Sequence, residues 1–91
     1  MKDIEKLAQK LQASGDPNRI KILCTIFENK DFCVSEIAKK LKMDIALVSY
    51  HLQVLLKEKL LRPVRRGKTV CYQLEETEFV NDLKKLICRY K

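Results

Sequence analysis

The sequence predicts a mainly α domain that carries one β-hairpin, with the elements in the order α-α-α-α-β-β-α. Apolar residues recur with helical spacing over the first two thirds of the chain and again near its end. Between these two stretches the period changes from 3.6 to two, on both sides of a basic turn that contains a glycine. The length of 91 residues fits a single domain over residues 1–91.

The first two predicted helices are amphipathic. The first covers residues 3–13, ends at Ser14-Gly15, and has apolar residues at i, i+3, i+4 and i+7: Ile4, Leu7, Ala8 and Leu11. Asp16-Pro17 provides the N-cap and the first residue of the second helix, which ends near Asn29. The predicted inner face of that helix consists of Ile20, Leu23, Cys24 and Phe27.

The third and fourth helices are short and closely connected. The third covers residues 34–41, and its inner face consists of Val34, Ile37, Ala38 and Leu41. Lys42-Met43 forms a tight connection, after which Asp44 caps a fourth helix that runs to Lys57. The predicted buried residues of the fourth helix are Leu47, Val48, Leu52 and Leu55. Its predicted outward residues are Ala46, Ser49, Tyr50 and Gln53.

Two predicted strands, residues 61–65 and 70–74, flank the turn Arg66-Gly67-Lys68-Thr69. Pro63 cannot donate a backbone hydrogen bond, so the first strand is expected at an edge of the sheet. The last helix is predicted from Glu75 to Tyr90, with acidic residues first and basic residues last, as the helix dipole favours. Its predicted inner residues are Phe79, Val80, Leu83, Leu86, Ile87 and Tyr90.

The charge balance indicates the class of partner. The chain has 19 Lys and Arg against 12 Asp and Glu, a formal net charge of +7. That charge predicts a polyanionic partner, nucleic acid before membrane. No apolar run approaches 18 residues and the N-terminus is charged, so we expect no membrane span, no signal peptide and a cytoplasmic location. Neither a Gly-rich phosphate loop nor a nucleophile–base motif is present, so no enzymatic activity and no cofactor are expected.

Two short helices followed by a basic hairpin are the plan of a winged helix-turn-helix. An outward helix face can read base edges in the DNA major groove, and the hairpin can contact phosphates or enter an adjacent minor groove. The predicted helix contacts are Ile45, Ala46, Ser49, Tyr50 and Gln53, and the predicted wing contacts are Arg62, Arg65, Arg66 and Lys68. Alternatively, the wing cations have no DNA-binding role and only keep an exposed strand edge solvated, which protects it from aggregation.

Three stretches resemble the ArsR/SmtB family of dimeric repressors: DPNRIKIL, VSEIAKKLKMDIALVSYHLQVLLKEKLL and VRRGKTVCYQL. The resemblance extends from about Leu7 to Arg89. It implies a homodimer paired through the first and last helices, which binds a double-stranded operator and is released by an inducer. It also adds His51 to the predicted recognition positions, whereas the alternative is a helix residue that packs beside Leu52 or touches phosphate.

The resemblance also implies where an inducer acts. Cys33-Val34-Ser35 stands where metal-sensing relatives carry Cys-Val-Cys, so Cys33 remains only a weak metal candidate. The zinc positions of the last helix correspond to Glu76, Glu78 and Arg89. Arginine cannot ligate zinc, so that site is expected to be absent.

Thiol-sensing relatives of the HlyU/BigR type carry a cysteine where this chain has Cys24, after Arg19 in the run RIKILC. Their second cysteine lies near the end of the last helix, where Cys88 is the candidate here. Cys24 and Cys88 are therefore the predicted redox sensor pair, with core packing as the alternative for Cys24. Cys71 is expected to serve packing, and all four cysteines are expected to be thiols by default.

The sequence therefore predicts a transcriptional repressor that binds operator DNA as a homodimer, with thiol modification at Cys24 and Cys88 as a candidate for the signal that releases it. Two other functions remain open. One is a winged helix for protein–protein contact without operator binding, which the outward Ile45 and Tyr50 leave possible. The other is a metal-responsive repressor that uses Cys33.

Overall fold

The computed structural model describes residues 1–28 and 31–91. The predicted order of helices and strands is confirmed, with one additional short strand. The elements are α1 (Lys2–Ser14), α2 (Pro17–Glu28), β1 (Phe32–Cys33), α3 (Val34–Leu41), α4 (Ile45–Lys57), β2 (Leu61–Arg66), β3 (Thr69–Leu74) and α5 (Glu78–Cys88). The predicted end of the second helix near Asn29 lies outside the described residues.

Side-chain caps set the starts of α2 and α4, as the sequence predicts. The Asp16 carboxylate accepts the backbone N–H of Arg19 at 3.1 Å. The Asp44 carboxylate accepts the N–H groups of Ala46 and Leu47 at 3.0 and 3.3 Å. Each cap satisfies backbone donors that the first turn of a helix leaves without an intrahelical acceptor.

The connection between α3 and α4 turns through a left-handed residue. Lys42 has φ 55° and ψ 46°, and its backbone N–H donates to the carbonyls of Ala38 and Lys39. The N–H of Met43 donates to the carbonyl of Ala38 at 3.0 Å. This geometry ends α3 abruptly and allows α4 to start at Ile45, which produces the compact helix-turn-helix.

The sheet has three antiparallel strands in the order β1-β3-β2. β1 was not predicted, since two residues are too few to show a period of two. Pro63 lies in β2 at an edge of the sheet, as predicted, and faces Tyr72 in β3. Gly67 starts the hairpin turn with φ 59°, a conformation that glycine adopts without steric cost.

The core lies between α2, α3, α4 and the start of the hairpin. Its fully buried side chains come from each of these elements: Ile22, Leu23, Ile26, Ile37, Val48, Leu52, Leu55, Leu60, Leu61 and Cys71. α5 closes one side of the core with Val80, Leu83 and Ile87. The hairpin and α4 are therefore held by a common set of buried contacts.

Leu47 is 41% exposed, so its predicted burial was wrong. The buried stripe of α4 follows Val48, His51, Leu52 and Leu55, which have the spacing of one helix face. Leu47 precedes this stripe by one position, about 100° around the helix, and therefore points outward.

The predicted last helix was too long at both ends. It begins at Glu78 rather than Glu75 because the Thr77 hydroxyl caps it, accepting the N–H of Val80 at 3.2 Å. It ends at Cys88 rather than Tyr90. Leu86 in α5 and Tyr90 just beyond its end, both predicted to be inside, are 48% and 86% exposed, so their predicted burial was wrong. No helix among the described residues is long and apolar enough to cross a membrane.

Candidate nucleic-acid interface

The outer face of α4 is exposed along the whole helix. Ile45 and Tyr50 are 54% and 60% exposed, and Leu47 adds a third apolar side chain to this face. Ala46 and Gln53 are also exposed, whereas Ser49 is half-buried. Because Val48, Leu52 and Leu55 anchor the opposite side in the core, α4 presents a fixed surface of small, polar and apolar side chains.

The four predicted wing cations lie on β2 and its turn, and all are exposed. Arg62 donates two hydrogen bonds to the Gln73 side chain, at 3.2 and 2.8 Å. Arg66 forms ion pairs with Asp31 and Glu36, both at 3.2 Å. Within residues 1–28 and 31–91, neither Arg65 nor Lys68 forms an ion pair. Arg65 and Lys68 are therefore the wing cations best placed to meet an external anion.

His51 is 5% exposed, which corrects its prediction as a DNA contact. Its imidazole Nδ1 lies 3.0 Å from Nη1 of Arg19, on the core side of α4. Arg19 always donates, so Nδ1 accepts and the ring proton resides on Nε2. The structural alternative, a histidine packed inside, is what the structure shows. The sequence indicated both Arg19 and His51 as notable residues, but it did not predict that the two side chains contact each other.

The environment of His51 favours its neutral form. Burial lowers the pKa of His51 from its usual value near 6.5, and the Arg19 charge lowers it further, while Asp16 acts in the opposite direction. Nε2 is buried without a hydrogen-bond partner among the described residues. Arg19 also donates from Nε to the carbonyl of Ala13 at the end of α1. One guanidinium thus joins α1, α2 and α4.

Cys33 and Cys71 form a disulfide between β1 and β3, which corrects the prediction that all four cysteines are thiols. The two residues are direct partners in the antiparallel register, with Cα atoms 3.8 Å apart. No sequence pattern indicated this pairing because β1 was not predicted. The two sulfur atoms and a Glu36 carboxylate oxygen all lie within 4.8 Å of one another. These groups could hold a thiophilic metal ion only after the disulfide is reduced.

The predicted sensor cysteines, Cys24 and Cys88, are both free thiols, one half-buried and one exposed. Burial raises the pKa of the Cys24 thiol, the neighbouring Cys88 and Glu28 raise it further, and Lys91 opposes them. Cys24 therefore carries little thiolate at neutral pH. The two thiols lie on α2 and on the last residue of α5, which are adjacent helices.

A groove of about 450 Å³ lies where α1, α2 and α5 meet. Its lining residues are mostly apolar, and they include Leu11, Ile20, Cys24, Leu83 and Leu86. Further apolar side chains are exposed on α1, namely Ile4 and Leu7, and Tyr90 just beyond the end of α5 is exposed as well. The terminal helices therefore leave a substantial apolar surface outside the core of one chain.

Three comparisons with known proteins agree with this geometry. An uncharacterised HTH-type transcriptional regulator of Methanocaldococcus jannaschii is 32% identical over 96% of this chain and 97% of its own length. The structure of HlyU from Vibrio cholerae is similar with a TM-score of 0.87 and 27% identity, over 98% of this chain and 95% of that one. The transcriptional repressor BigR from Xylella fastidiosa is similar with a TM-score of 0.80 and 26% identity, over 99% and 91%.

The family described as bacterial regulatory protein, arsR family, matches residues 16–62. These residues contain α2, β1, α3, α4 and the start of β2, which is the helix-turn-helix with the helix that supports it. The winged helix-turn-helix fold, the exposed recognition helix and the basic hairpin all accord with that match. This chain belongs to the ArsR family of transcriptional regulators.

Proposed function

We propose that this protein is a cytoplasmic repressor that binds a double-stranded operator as a homodimer. One observation carries the proposal: the exposed face of α4 lies on the same rigid core as a basic hairpin whose Arg65 and Lys68 are unpaired among the described residues. A helix face of this size fits the major groove, and hairpin cations can neutralise the flanking phosphates. In this docking Ala46, Ser49, Tyr50 and Gln53 read base edges together with Ile45.

The contribution of the four wing cations is unequal in this proposal. Arg65 and Lys68 contact phosphate directly. Arg62 reaches DNA from its position against Gln73, and Arg66 must first exchange Asp31 and Glu36 for a phosphate. Replacing one anionic partner by another stabilises the complex less than giving a partner to a cation that has none. Arg66 therefore contributes less to the affinity for DNA than Arg65.

The dimer forms through α1 and α5. Support comes from the exposed Ile4, Leu7, Leu11 and Leu86 and from the apolar groove beside them. An apolar surface of this kind on a small domain usually marks an interface. A two-fold axis through it would place two copies of α4 at a fixed spacing, which matches an operator with two half-sites.

Selection of bound duplexes from a random-sequence library tests the proposal. We expect enrichment of one sequence with inverted half-sites, about one helical turn apart between their centres. The double variant Arg65→Ala/Lys68→Ala provides the control for non-specific capture. Recovery of unrelated sequences by the wild-type protein would contradict operator binding.

Thiol modification is the inducing event that we propose for this repressor, at Cys24 and Cys88. The contact between α2 and α5 supports it, because these helices carry the two thiols and Cys24 lines the groove of the proposed dimer surface. A polysulfide that bridges them would alter that surface. We expect polysulfide to lower operator affinity, and Cys24→Ser or Cys88→Ser each to abolish the response while the reduced variants still bind. An unchanged response in both variants would exclude this pair.

Metal control is a second candidate mechanism, favoured by the convergence of Cys33, Glu36 and Cys71. Two thiolates and a carboxylate suit zinc or a softer ion, although Arg66 beside them disfavours added positive charge. Zinc titration of the reduced protein against a chromophoric chelator tests it. Stoichiometric zinc binding that is weakened by Glu36→Gln supports metal control. A reduced protein that does not compete with the chelator for zinc excludes it.

Protein–protein contact without operator binding is the third candidate, since Ile45, Leu47 and Tyr50 form an apolar exposed face on α4. The basic wing favours DNA over this function. The library selection separates the two, because a protein-binding module enriches no sequence.

A further inference from the structure

Cys33 and Cys71 differ in their access to solvent. Cys33 is 7% exposed in β1, whereas Cys71 is fully buried in β3. Among the described residues, the ladder between β1 and β3 contains one other residue pair, Phe32 with Tyr72. Cys33 is therefore the more accessible residue of the two.

The N-terminus of α3 and the Arg66 cation favour negative charge on the Cys33 sulfur atom, whereas a Glu36 carboxylate oxygen within 4.8 Å of it opposes that charge. Cys33 is the N-cap of α3, where the helix dipole stabilises negative charge. Nη2 of Arg66 lies 3.5 Å from its sulfur atom, and Asp31 and Glu36 hold that guanidinium in place at 3.2 Å. Glu36 also accepts the backbone N–H of Cys33 at 2.8 Å. The Arg66 cation and the helix N-terminus thus act on the sulfur atom of the more accessible residue.

We propose that Cys33 and Cys71 form a reversible dithiol/disulfide site that reacts with low-molecular-weight disulfides, with Cys33 as the attacking thiol and Cys71 as the resolving thiol. This site is separate from the free thiols Cys24 and Cys88, which lie on α2 and α5. Its chemistry does not require operator binding, so its test is independent of the function proposed above.

The reaction has two exchange steps. The Cys33 thiolate attacks one sulfur of the small disulfide, whose S–S bond breaks, and one small thiolate leaves. Cys71 then gives its proton to solvent and attacks the Cys33 sulfur, the mixed disulfide breaks, and the second small thiolate leaves. The protein dithiol loses two electrons, and the small disulfide is reduced to two thiols that take up the released protons.

Arg66 acts in this scheme as a positioning residue for the attack. Its guanidinium stabilises the Cys33 thiolate before the first step, and that negative charge disappears when the disulfide forms. Arg66 therefore belongs both to the wing and to the thiol site. The attack requires the positive charge of Arg66, and not only a hydrogen-bond donor at that position.

The test uses the full chain with Cys24→Ser/Cys88→Ser, so that only the proposed pair reacts. The reduced protein is exposed to oxidised glutathione, the reaction is quenched with acid, and the mass of the intact protein is measured by mass spectrometry. We expect a loss of two hydrogens without a lasting adduct. Cys71→Ala in this background should keep one glutathionyl group on Cys33, and Cys33→Ala should keep almost none. Circular dichroism verifies that each variant is folded.

A second arm tests the role of Arg66 in the Cys71→Ala background. We expect Arg66→Gln to slow glutathionylation of Cys33 about three- to tenfold, and Arg66→Lys to restore most of the rate because it keeps the charge. Equal rates in all three proteins would overturn the role of Arg66. Faster adduct formation on Cys71 than on Cys33, or no oxidation of the folded pair, would overturn the site itself.

Discussion

Arg19 and His51, which lie 32 positions apart in the sequence, meet in the core, where the guanidinium donates to the imidazole at 3.0 Å. The same guanidinium reaches the carbonyl of Ala13. The recognition helix α4 is therefore fixed to α1 and α2 by a polar contact as well as by apolar packing. The orientation of the exposed α4 face depends on both.

Removing the guanidinium should destabilise the fold. Arg19→Met leaves the Nδ1 of His51 and the Ala13 carbonyl without their donor, and an unsatisfied buried polar group costs about 1–3 kcal/mol. Lys21→Met on the exposed side of the same helix is the matched control and should change the free energy of unfolding little. Urea denaturation measures both. Equal stability of the two variants would show that the contact between Arg19 and His51 contributes nothing.

Stability should fall in mild acid because of His51. Its pKa is lowered in the folded state, so above pH 6.5 the histidine is neutral in both states and its contribution is complete. As the pH falls below 6.5, the unfolded chain binds a proton that the folded protein excludes. The loss can reach about 1.4 kcal/mol per pH unit.

Urea denaturation between pH 7 and pH 5 measures that slope, with His51→Asn as the comparison. The variant should lose most of the pH dependence in this window. Asp16 and Glu28 also have lowered pKa values, but their effects occur in more acidic solution, below about pH 4.5. A slope that is identical in the variant would assign the effect to other groups.

The sequence determined most helix boundaries because the signals there are local. Asp44 caps α4 and Val48, Leu52 and Leu55 repeat at helical spacing, so the recognition helix could be predicted to the residue. The contact between Arg19 and His51 and the pairing of Cys33 with Cys71 could not be predicted, because each depends on packing between distant segments. The two-residue strand β1 has no periodicity of its own and exists only because β3 pairs with it.

The exposed surface of α5 was predicted incorrectly for a related reason. Leu86 and Tyr90 share the apolar spacing of Leu83 and Ile87, and periodicity alone cannot tell a core from an interface. In one chain they are exposed. Burial by a second copy of the chain would reconcile the pattern with the structure.

Introducing a charge on that surface should separate the two chains. Leu86→Glu places a carboxylate in the proposed interface and should give a species of 10.7 kDa, the mass of one chain. Lys85→Glu places the same carboxylate at the neighbouring exposed position, with a larger change in net charge, and should leave the mass at twice that value. Light scattering at micromolar concentration measures both. A wild-type protein of single-chain mass would rule out the dimer.

Wing and helix variants should have different effects on DNA binding. Arg65→Ala should weaken binding to all duplexes about equally, since a phosphate contact carries no base information. It should also reduce the salt slope by about two, because each of the two chains loses one phosphate contact. Arg66→Ala should weaken binding less, because Asp31 and Glu36 already pair with that cation. Ser49→Ala and Tyr50→Ala should instead change the preferred bases. Repeating the library selection with each variant distinguishes these outcomes, and altered base preference in the wing variants alone would reverse the docking.

The most direct test of operator binding is the affinity for a selected duplex as a function of salt concentration, measured by fluorescence anisotropy alongside a scrambled duplex. If each chain of the dimer neutralises about three to five phosphates, log K should fall against log salt with a slope of about −5 to −9. We expect that slope, together with binding to the selected duplex at least about a thousandfold tighter than to the scrambled one. Affinity that does not respond to salt, or that is equal for the two duplexes, would contradict operator recognition by α4 and the wing.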